Sequence, residues 1–243
     1  MRQTRPLFFI GVHHPSHASA FARCTVSVNV LERRRGDFFP QQWLLDSGAF
    51  SRLTTGKGHL PLTTYAVMIR RWALCGTLLA AVAQDWMCEP VVLQQTGLTV
   101  AEHQHRTLDN YRELRERVEV PVMPVLQGYA PDDYRRHLEA YGGLLAPGQW
   151  VGVGSVCRRN TALGPLEAVM EAIHQERPDL RLHGFGLKRT ALAEDAIAAR
   201  LYSCDSLAWS YAARREGRNA NSVAEALRYS RALETQPVQL RLW

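Results

Sequence analysis

Lysine is almost absent from this chain. Of its 29 basic residues only Lys57 and Lys188 are not arginine. Such a skew follows genome composition and identifies no partner by itself. Cysteine is scarce and scattered: five residues, at 24, 75, 88, 157 and 204, with no two at CxxC spacing. That pattern excludes a disulfide framework and a cysteine zinc cluster, and it fits a reducing cytoplasm as the expected location. No apolar run approaches the ~18 residues that a membrane span needs. Met1 to Pro6 run straight into Leu7–Val12 without a small-residue cleavage pattern, which reads as a first strand rather than a signal peptide. Repeats, low-complexity stretches and linkers are missing too, so residues 1–243 are expected to form a single domain.

What is present is a globular composition, 46% apolar and 21% charged, enough for one large core and incompatible with global disorder. The net charge of +6 permits a polyanionic partner without establishing one. His13, His14 and His17 cluster after the first apolar run. A polar loop explains them better than a metal site, since no carboxylate or thiol ligand is evident nearby, and no metal is expected.

Eight short apolar runs read as strands: Leu7–Val12, Thr25–Leu31, Trp43–Leu45, Leu78–Ala83, Val120–Leu126, Trp150–Val153, Leu180–His183 and Leu201–Cys204. Each ends in a polar or glycine turn. Helical patterns fill most of the gaps, over Leu62–Cys75, from Thr99 to about Arg117, over Pro131–Tyr141, Leu166–Glu176 and Ala191–Ala199, and in a terminal helix at about 221–233. Thr99 with Glu102, and Ser222 with Glu225, have capping-box spacing. Strands alternating with helices predict a parallel sheet, and eight strands in roughly 250 residues predict an α/β fold of the (β/α)8 TIM-barrel type. A doubly wound open sheet is the rival. It normally carries a glycine-rich phosphate loop after its first strand, and His13-His14-Pro15 is nothing like GxGxxG.

In a parallel barrel the carboxyl ends of the strands form one mouth. The residues expected there are Asp46, Asp85, Gln127, Gly154, Gly186 and Asp205. Taken singly, Asp46 in the sequence DSG can serve a turn, and Asp85 and Asp205 can cap helices. Three carboxylates at the same end of three apolar runs are not required by capping. Gln127, placed directly after a buried strand, needs a hydrogen-bond partner, either a ligand or a structural group. Phe50, Trp86, Tyr129 and Trp209 accompany these positions. Core packing suits the two tryptophans, and Phe50, on the turn that carries Asp46, is the best candidate to stack on a flat base.

Leu45–Phe50 (LDSGAF) resembles the DSGG-aromatic signature of tRNA-guanine transglycosylases. Ala83–Asp85 looks like the segment that carries their base-recognising aspartate. Pro124–Gly128 (PVLQG) resembles their VQGG segment, Val151–Ser155 (VGVGS) their IGGL segment, and His183–Gly186 (HGFG) their MGVG strand end. Asp205, in Ser203–Ser206 (SCDS), falls where the family places its nucleophilic aspartate. Order and approximate spacing agree across about Trp43 to Trp209. The zinc subdomain that helps those enzymes dock tRNA has no counterpart after Cys204. The wording GVGSVCRR, HGFGLK and SCDSLAWS is more similar to the compact, often viral DNA branch called DpdA, which exchanges guanine in DNA for a 7-deazaguanine.

The resemblance implies DNA and a 7-deazaguanine base of the preQ0 kind as substrates, no cofactor, and room for a partner protein that docks DNA. It makes Asp205 the nucleophile and Asp46 the general acid or base. Asp85 and Gln127 would bond the purine edge, the Gly154 and Ser155 N–H groups would receive O6, and Phe50 would stack. Ser47, Gly128 and Gly186 complete the expected base-binding set. Arg158, Arg159, Lys188 and Arg189, next to two strand ends, are candidates for phosphate contact or for a solvated loop. Three rivals remain: a zinc-free transglycosylase acting on tRNA, a non-catalytic nucleic-acid-binding barrel whose carboxylates are caps, and a small-molecule barrel enzyme using Lys188 as an imine-forming amine.

Overall fold

The computed structural model describes residues 5–159 and 163–234. The ends of the span read as one domain, residues 1–4 and 235–243, lie outside the described residues. Nine strands form: β1 Leu7–Val12, β2 Arg23–Ser27, β3 Gln42–Asp46, β4 Thr77–Val82, β5 Val122–Met123, β6 Val125–Leu126, β7 Trp150–Val153, β8 Arg181–Gly184 and β9 Leu201–Ser206. They pair in the order β5-β4-β3-β2-β1-β9-β8-β7-β6, all parallel. β5 and β6 are halves of one extended segment divided by Pro124, which has no N–H to donate. On one side Ala83 N donates to Met123 O at 3.0 Å, and on the other Gly152 N donates to Pro124 O at 2.8 Å. The sheet therefore bends round into a nearly closed barrel with helices between its strands, and the open-sheet rival falls.

Period-two alternation sorts the side chains into two cores. One set faces inward: Phe9, Leu44, Ala80, Val82, Met123 and Val125 pack together with Leu7, Trp150 and Phe185 against them. The alternate set, including Ile10, Cys24, Val26, Trp43, Leu45, Val151, Val153, Leu182 and Cys204, faces the helices in a larger core. Trp43 is fully buried there, and its indole N–H donates to Cys75 O at 2.7 Å. The barrel is thus filled at its floor and is not a pore.

The helix Val100–Arg117 opens with the expected reciprocal box: Thr99 N donates to Glu102 Oε2 at 2.8 Å and Glu102 N to Thr99 Oγ1 at 3.2 Å. Pro131–Tyr141 and Leu163–Glu176 also fold as helices, and the last helix runs Val223–Glu234. The second strand is shorter than the sequence suggests. It stops at Ser27, whose hydroxyl accepts from Asn29 N at 3.4 Å, and Val28–Leu31 wind into one helical turn. Val28 and Leu31, three apart, are both buried by that turn, as they could not be by a strand. The segment Ala191–Ala199 is two short helices, Arg189–Leu192 and Asp195–Ala198. Helices over Ala49–Thr54, Pro90–Thr96 and Ala208–Arg215 go beyond the sequence reading. Among the described residues no helix is long and apolar enough to cross a membrane.

Candidate active site

Because every strand is parallel, all carboxyl ends open on one side, and a cavity of about 500 Å³ lies there. Asp46, Asp85 and Asp205 all line it, with Phe50, Gly154, Ser155, Gly186 and Lys188. Inward alternation accounts for two of the carboxylates: Asp46 follows the inward Leu44 by two positions on β3, and Asp205 pairs with the inward Phe9 of β1. A second cavity, of about 480 Å³, opens beside the N-terminal ends of β1 and β2, lined by residues such as Leu7, Phe8, Phe21 and Leu227. None of the strand-end carboxylates reaches it.

Asp205 is not a helix cap. It lies within β9, and its Oδ1 accepts from Gly186 N at 2.7 Å. Gly186 has φ 63°, a conformation suited to glycine, and a Cβ there would crowd the Cys157 side chain at 2.7 Å. Asp46 accepts from Gly48 N at 3.0 Å, so it organises its turn and faces the cavity as well. Burial pushes the Asp46 carboxyl up to about 6, and the nearby Asp205 adds to the rise. Hydrogen bonds from Ser27 and Gly48, and His183 close by, pull the other way.

Asp85 is only 7% exposed, and it accepts a hydrogen bond from the Gln127 side-chain amide. Burial, reinforced by Asp46, raises its carboxyl to about 7. Gln127 is fully buried behind the cavity wall, with every group engaged. Its N–H donates to His137 Nδ1 at 2.8 Å, its carbonyl accepts from Gln104 at 2.7 Å, and its Oε1 accepts from Ser155 Oγ at 2.7 Å. Burial lowers His137 to about 4, so the ring is neutral near pH 7 and can accept. Ser155 adopts φ 55°, rare for a residue with a side chain, and its hydroxyl also accepts from Cys88 N at 2.8 Å and lies 3.0 Å from Glu89 Oε2.

Not every expected residue reaches the cavity. Gly154 lines it, but its N–H donates to Leu126 O at 2.9 Å and its carbonyl accepts from Tyr134 at 2.8 Å. The Gly154 N–H is therefore taken up by the ladder between β6 and β7, which corrects the expectation that it receives a purine oxygen. Ser47 is buried outside the lining, its hydroxyl without a partner among the described residues. Gly128 also stands behind the wall, packed against Asp133 and Tyr134. Trp209 is core, its indole donating to Gly11 O at 2.8 Å. Trp86 packs against His59 and His103, away from the lining.

The basic residues meet aromatics around the rim. Phe50, 40% exposed, has the Arg158 guanidinium 5.3 Å from its ring centre. Arg159 lies 4.2 Å over Tyr129 and bonds that residue's carbonyl. Lys188 lies 5.7 Å from the Tyr211 ring centre, and Arg189 is exposed on the helix that begins beside it. Of the cavity residues that sequence reasoning did not single out, Glu89 and Asn29 are the most polar. Glu89 precedes Pro90 in a stretch with no apolar rhythm, and Asn29 was hidden in a supposed strand. His13 lines the rim and pairs with Ser210 at 2.7 Å. Among the described residues no group of three or more His, Cys, Asp or Glu is disposed to hold a metal ion, and all five cysteines are free.

Three carboxylates round a base-sized cavity, two held by backbone N–H groups and one by a side-chain amide, form a constellation suited to displacement at a glycosidic carbon. None of the curated proteins compared with the chain matches it. A family model does match, over residues 4–233, and its description is DeoxyPurine in DNA protein A. The chain belongs to this DpdA family, and with it to the transglycosylase-type enzymes of deoxypurine modification, whose substrate is DNA.

Proposed function

We propose that the protein exchanges guanine in DNA for a 7-deazaguanine base of the preQ0 kind, through a covalent glycosyl ester on Asp205. The observation that carries this reading is the convergence of Asp46, Asp85 and Asp205 on one cavity of about 500 Å³ at the strand ends. In the first displacement an Asp205 oxygen forms a bond to C1′ as the bond from C1′ to N9 breaks, and Asp46 gives its proton to the departing guanine. In the second, the incoming base returns a proton to Asp46 from its five-membered ring, its nitrogen bonds C1′, and Asp205 leaves. Two inversions restore the original configuration, and protons balance without a cofactor. Asp85, braced by Gln127, faces the donor edge of the purine, the Ser155 N–H serves O6, and Phe50 stacks on the ring. Asp205 bonded from Gly186, and Asp85 bonded from Gln127, are not the helix caps that a non-catalytic barrel would need.

A duplex hides the target base, so the enzyme extrudes it or takes single strands, at a few kcal/mol. Arg158 and Arg159 at the rim are then phosphate contacts. Replacing both by alanine is expected to weaken DNA binding for all sequences alike. The slope of log affinity against log salt should become shallower by roughly 0.9 for each phosphate charge no longer neutralised. Binding isotherms at several salt concentrations read this out. An unchanged slope assigns the pair to structure.

Gly154→Ala tests the base pocket. The added methyl would fall on the Gln127 amide, which is buried and bonded on both sides. The fold is expected to hold, while KM for the free base rises roughly tenfold or more, the worth of one mispositioned buried hydrogen bond. The function itself is tested by mass analysis of nucleosides in DNA from cells that make the protein together with a deazapurine supply. Parallel exchange assays on DNA and tRNA with labelled guanine separate DNA exchange from RNA exchange; exchange on tRNA alone, or on neither, refutes the proposal.

A further inference from the structure

His183 is fully buried beneath Asp205 and has no part in the exchange as written above. It lies on β8, paired across the sheet with Ser203 of β9. Its Nδ1 is 2.9 Å from Ser203 Oγ; its Nε2 is buried, makes no hydrogen bond among the described residues, and has Asp205 Oδ1 as its facing acceptor at 3.7 Å. Three rings pack edge-on around it: Phe9 of β1 at 6.1 Å, Trp150 of β7 at 6.0 Å and Phe185 at 4.7 Å. The imidazole therefore cannot turn to face another partner without repacking the barrel floor.

The bonding around Ser203 favours one tautomer of the ring, the one that leaves no hydroxyl proton without an acceptor. Trp150 Nε1 is 2.8 Å from Ser203 Oγ, and an indole N–H only donates. Ser203 Oγ accepts that bond and has one proton of its own to place. His183 Nδ1 is the acceptor it meets. With Nδ1 accepting, a neutral ring carries its hydrogen on Nε2, directed at Asp205 Oδ1. The Gly186 N–H reaches the same oxygen at 2.7 Å. No donor among the described residues reaches Asp205 Oδ2.

We infer that His183 is a positioning residue for the nucleophile: Gly186 holds Asp205 Oδ1 by a hydrogen bond, the unpartnered His183 Nε2 closes on the same oxygen as charge develops, and the carboxylate attacks C1′ through Oδ2. The inference rests on the proposed exchange and adds to it the orientation of the attacking group. The bond that forms is Oδ2–C1′, the bond that breaks is C1′–N9, and Oδ1 becomes the ester carbonyl facing the two donors. The same donors receive the carboxylate charge when the second displacement expels Asp205. Trp150, Ser203 and His183 thus form one relay, from the barrel floor to the non-attacking oxygen of Asp205, that sets geometry and moves no proton.

Two measurements test it. The first needs no activity: nitrogen NMR of the wild-type protein with 15N-labelled histidine should show His183 with hydrogen on Nε2 and a bare Nδ1. Ser203→Ala should broaden or reverse that preference. The second is single-turnover formation of the covalent DNA adduct. His183→Asn keeps an acceptor for Ser203 but cannot reach Asp205, and it should slow the adduct about 10²-fold, the usual effect of a misplacement near 1 Å. KM for the free base should stay within about twofold. His183→Gln places an amide N–H near the old Nε2 position and should recover most of the rate. Hydrogen on Nδ1, equal loss in the Asn and Gln variants at matched melting temperature, or a change confined to KM would each overturn the inference while leaving the exchange chemistry intact. A wild-type protein that exchanges no base would remove the proposed function and the role of His183 together, even with the NMR result as expected.

Discussion

Asp205→Asn is expected to abolish the covalent adduct between protein and DNA, because an amide oxygen is a very poor nucleophile. Asn can still accept from Gly186 N, so the turn at the strand end should keep its shape and the melting temperature should barely move. Asp46→Asn is expected to behave differently. It leaves the nucleophile in place and removes a proton donor, so exchange should slow by roughly 10²–10⁴-fold and adduct should still form. The pH dependence follows from Asp46 itself. Its carboxyl is raised to about 6, so the protonated form needed in the first displacement is lost as pH rises through that value. Wild-type single-turnover adduct formation should therefore fall above about pH 6, and this limb should be missing in Asp46→Asn. Denaturing gels with labelled DNA measure all three results. Adduct in the Asp205 variant but none in the Asp46 variant would exchange the two roles.

Asp85→Asn is expected to cost activity and to add stability. The carboxyl sits at about 7 in the folded chain, against an ordinary value of 3.8. The folded state thus favours the protonated form, and the stability this contributes is complete below about pH 4 and lost as pH rises through about 7. Asp46, raised in the same direction, adds a similar loss through about 6. Asparagine at 85 never ionises, and its carbonyl can keep the bond from Gln127. At pH 8 the variant should melt several degrees above the wild type, since each kcal/mol is worth about 2–4 °C in a chain of this size. At pH 4 the difference should vanish. The same change turns an acceptor facing the purine donor edge into a donor, and kcat/KM for guanine exchange should fall roughly 10²–10³-fold. Melting curves at the two pH values and steady-state exchange test both halves. A variant that is less stable at pH 8 would show that the buried carboxylate is compensated by its surroundings.

The strand-end carboxylates were legible because a short apolar run followed at once by DSG, QD or CDS marks where a parallel strand leaves the sheet. Direction along the strand is fixed by that pattern, and so is the end on which the acids gather. Which way each side chain turns is not. Ser47 adjoins Asp46 in sequence and yet is buried outside the cavity lining. His183 escaped notice for a related reason. In HGFG it looks like part of a glycine-rich turn, and only the barrel's inward set shows it packed edge-on among Phe9, Trp150 and Phe185 beneath Asp205. TVSVNVL has the rhythm of a strand, but the Ser27 hydroxyl offers the Asn29 N–H a local partner, and the side-chain bond from Asn29 to Gly48 O at 3.2 Å holds the turn. The Gly154 N–H could not be judged from sequence either, because its partner, Leu126 O, lies on the neighbouring strand, 28 positions earlier in the chain.

Pro124 gives the barrel a seam. Where it divides one extended segment, β5 and β6 each pair over only two residues, while β1, β2 and β3 pair over three to five. Local opening of a ring of strands starts where the fewest backbone bonds resist it. Gln127 follows directly after that seam, and its side chain bridges Asp85, beyond β4, to Ser155, beyond β7. A purine seated against Asp85 and Ser155 would act as a clasp across the breach, tying the two flanks of the barrel through the ligand's own edge. The empty enzyme would breathe along this line and the loaded one would not, so that the rigidity required to aim Asp205 arrives together with the base.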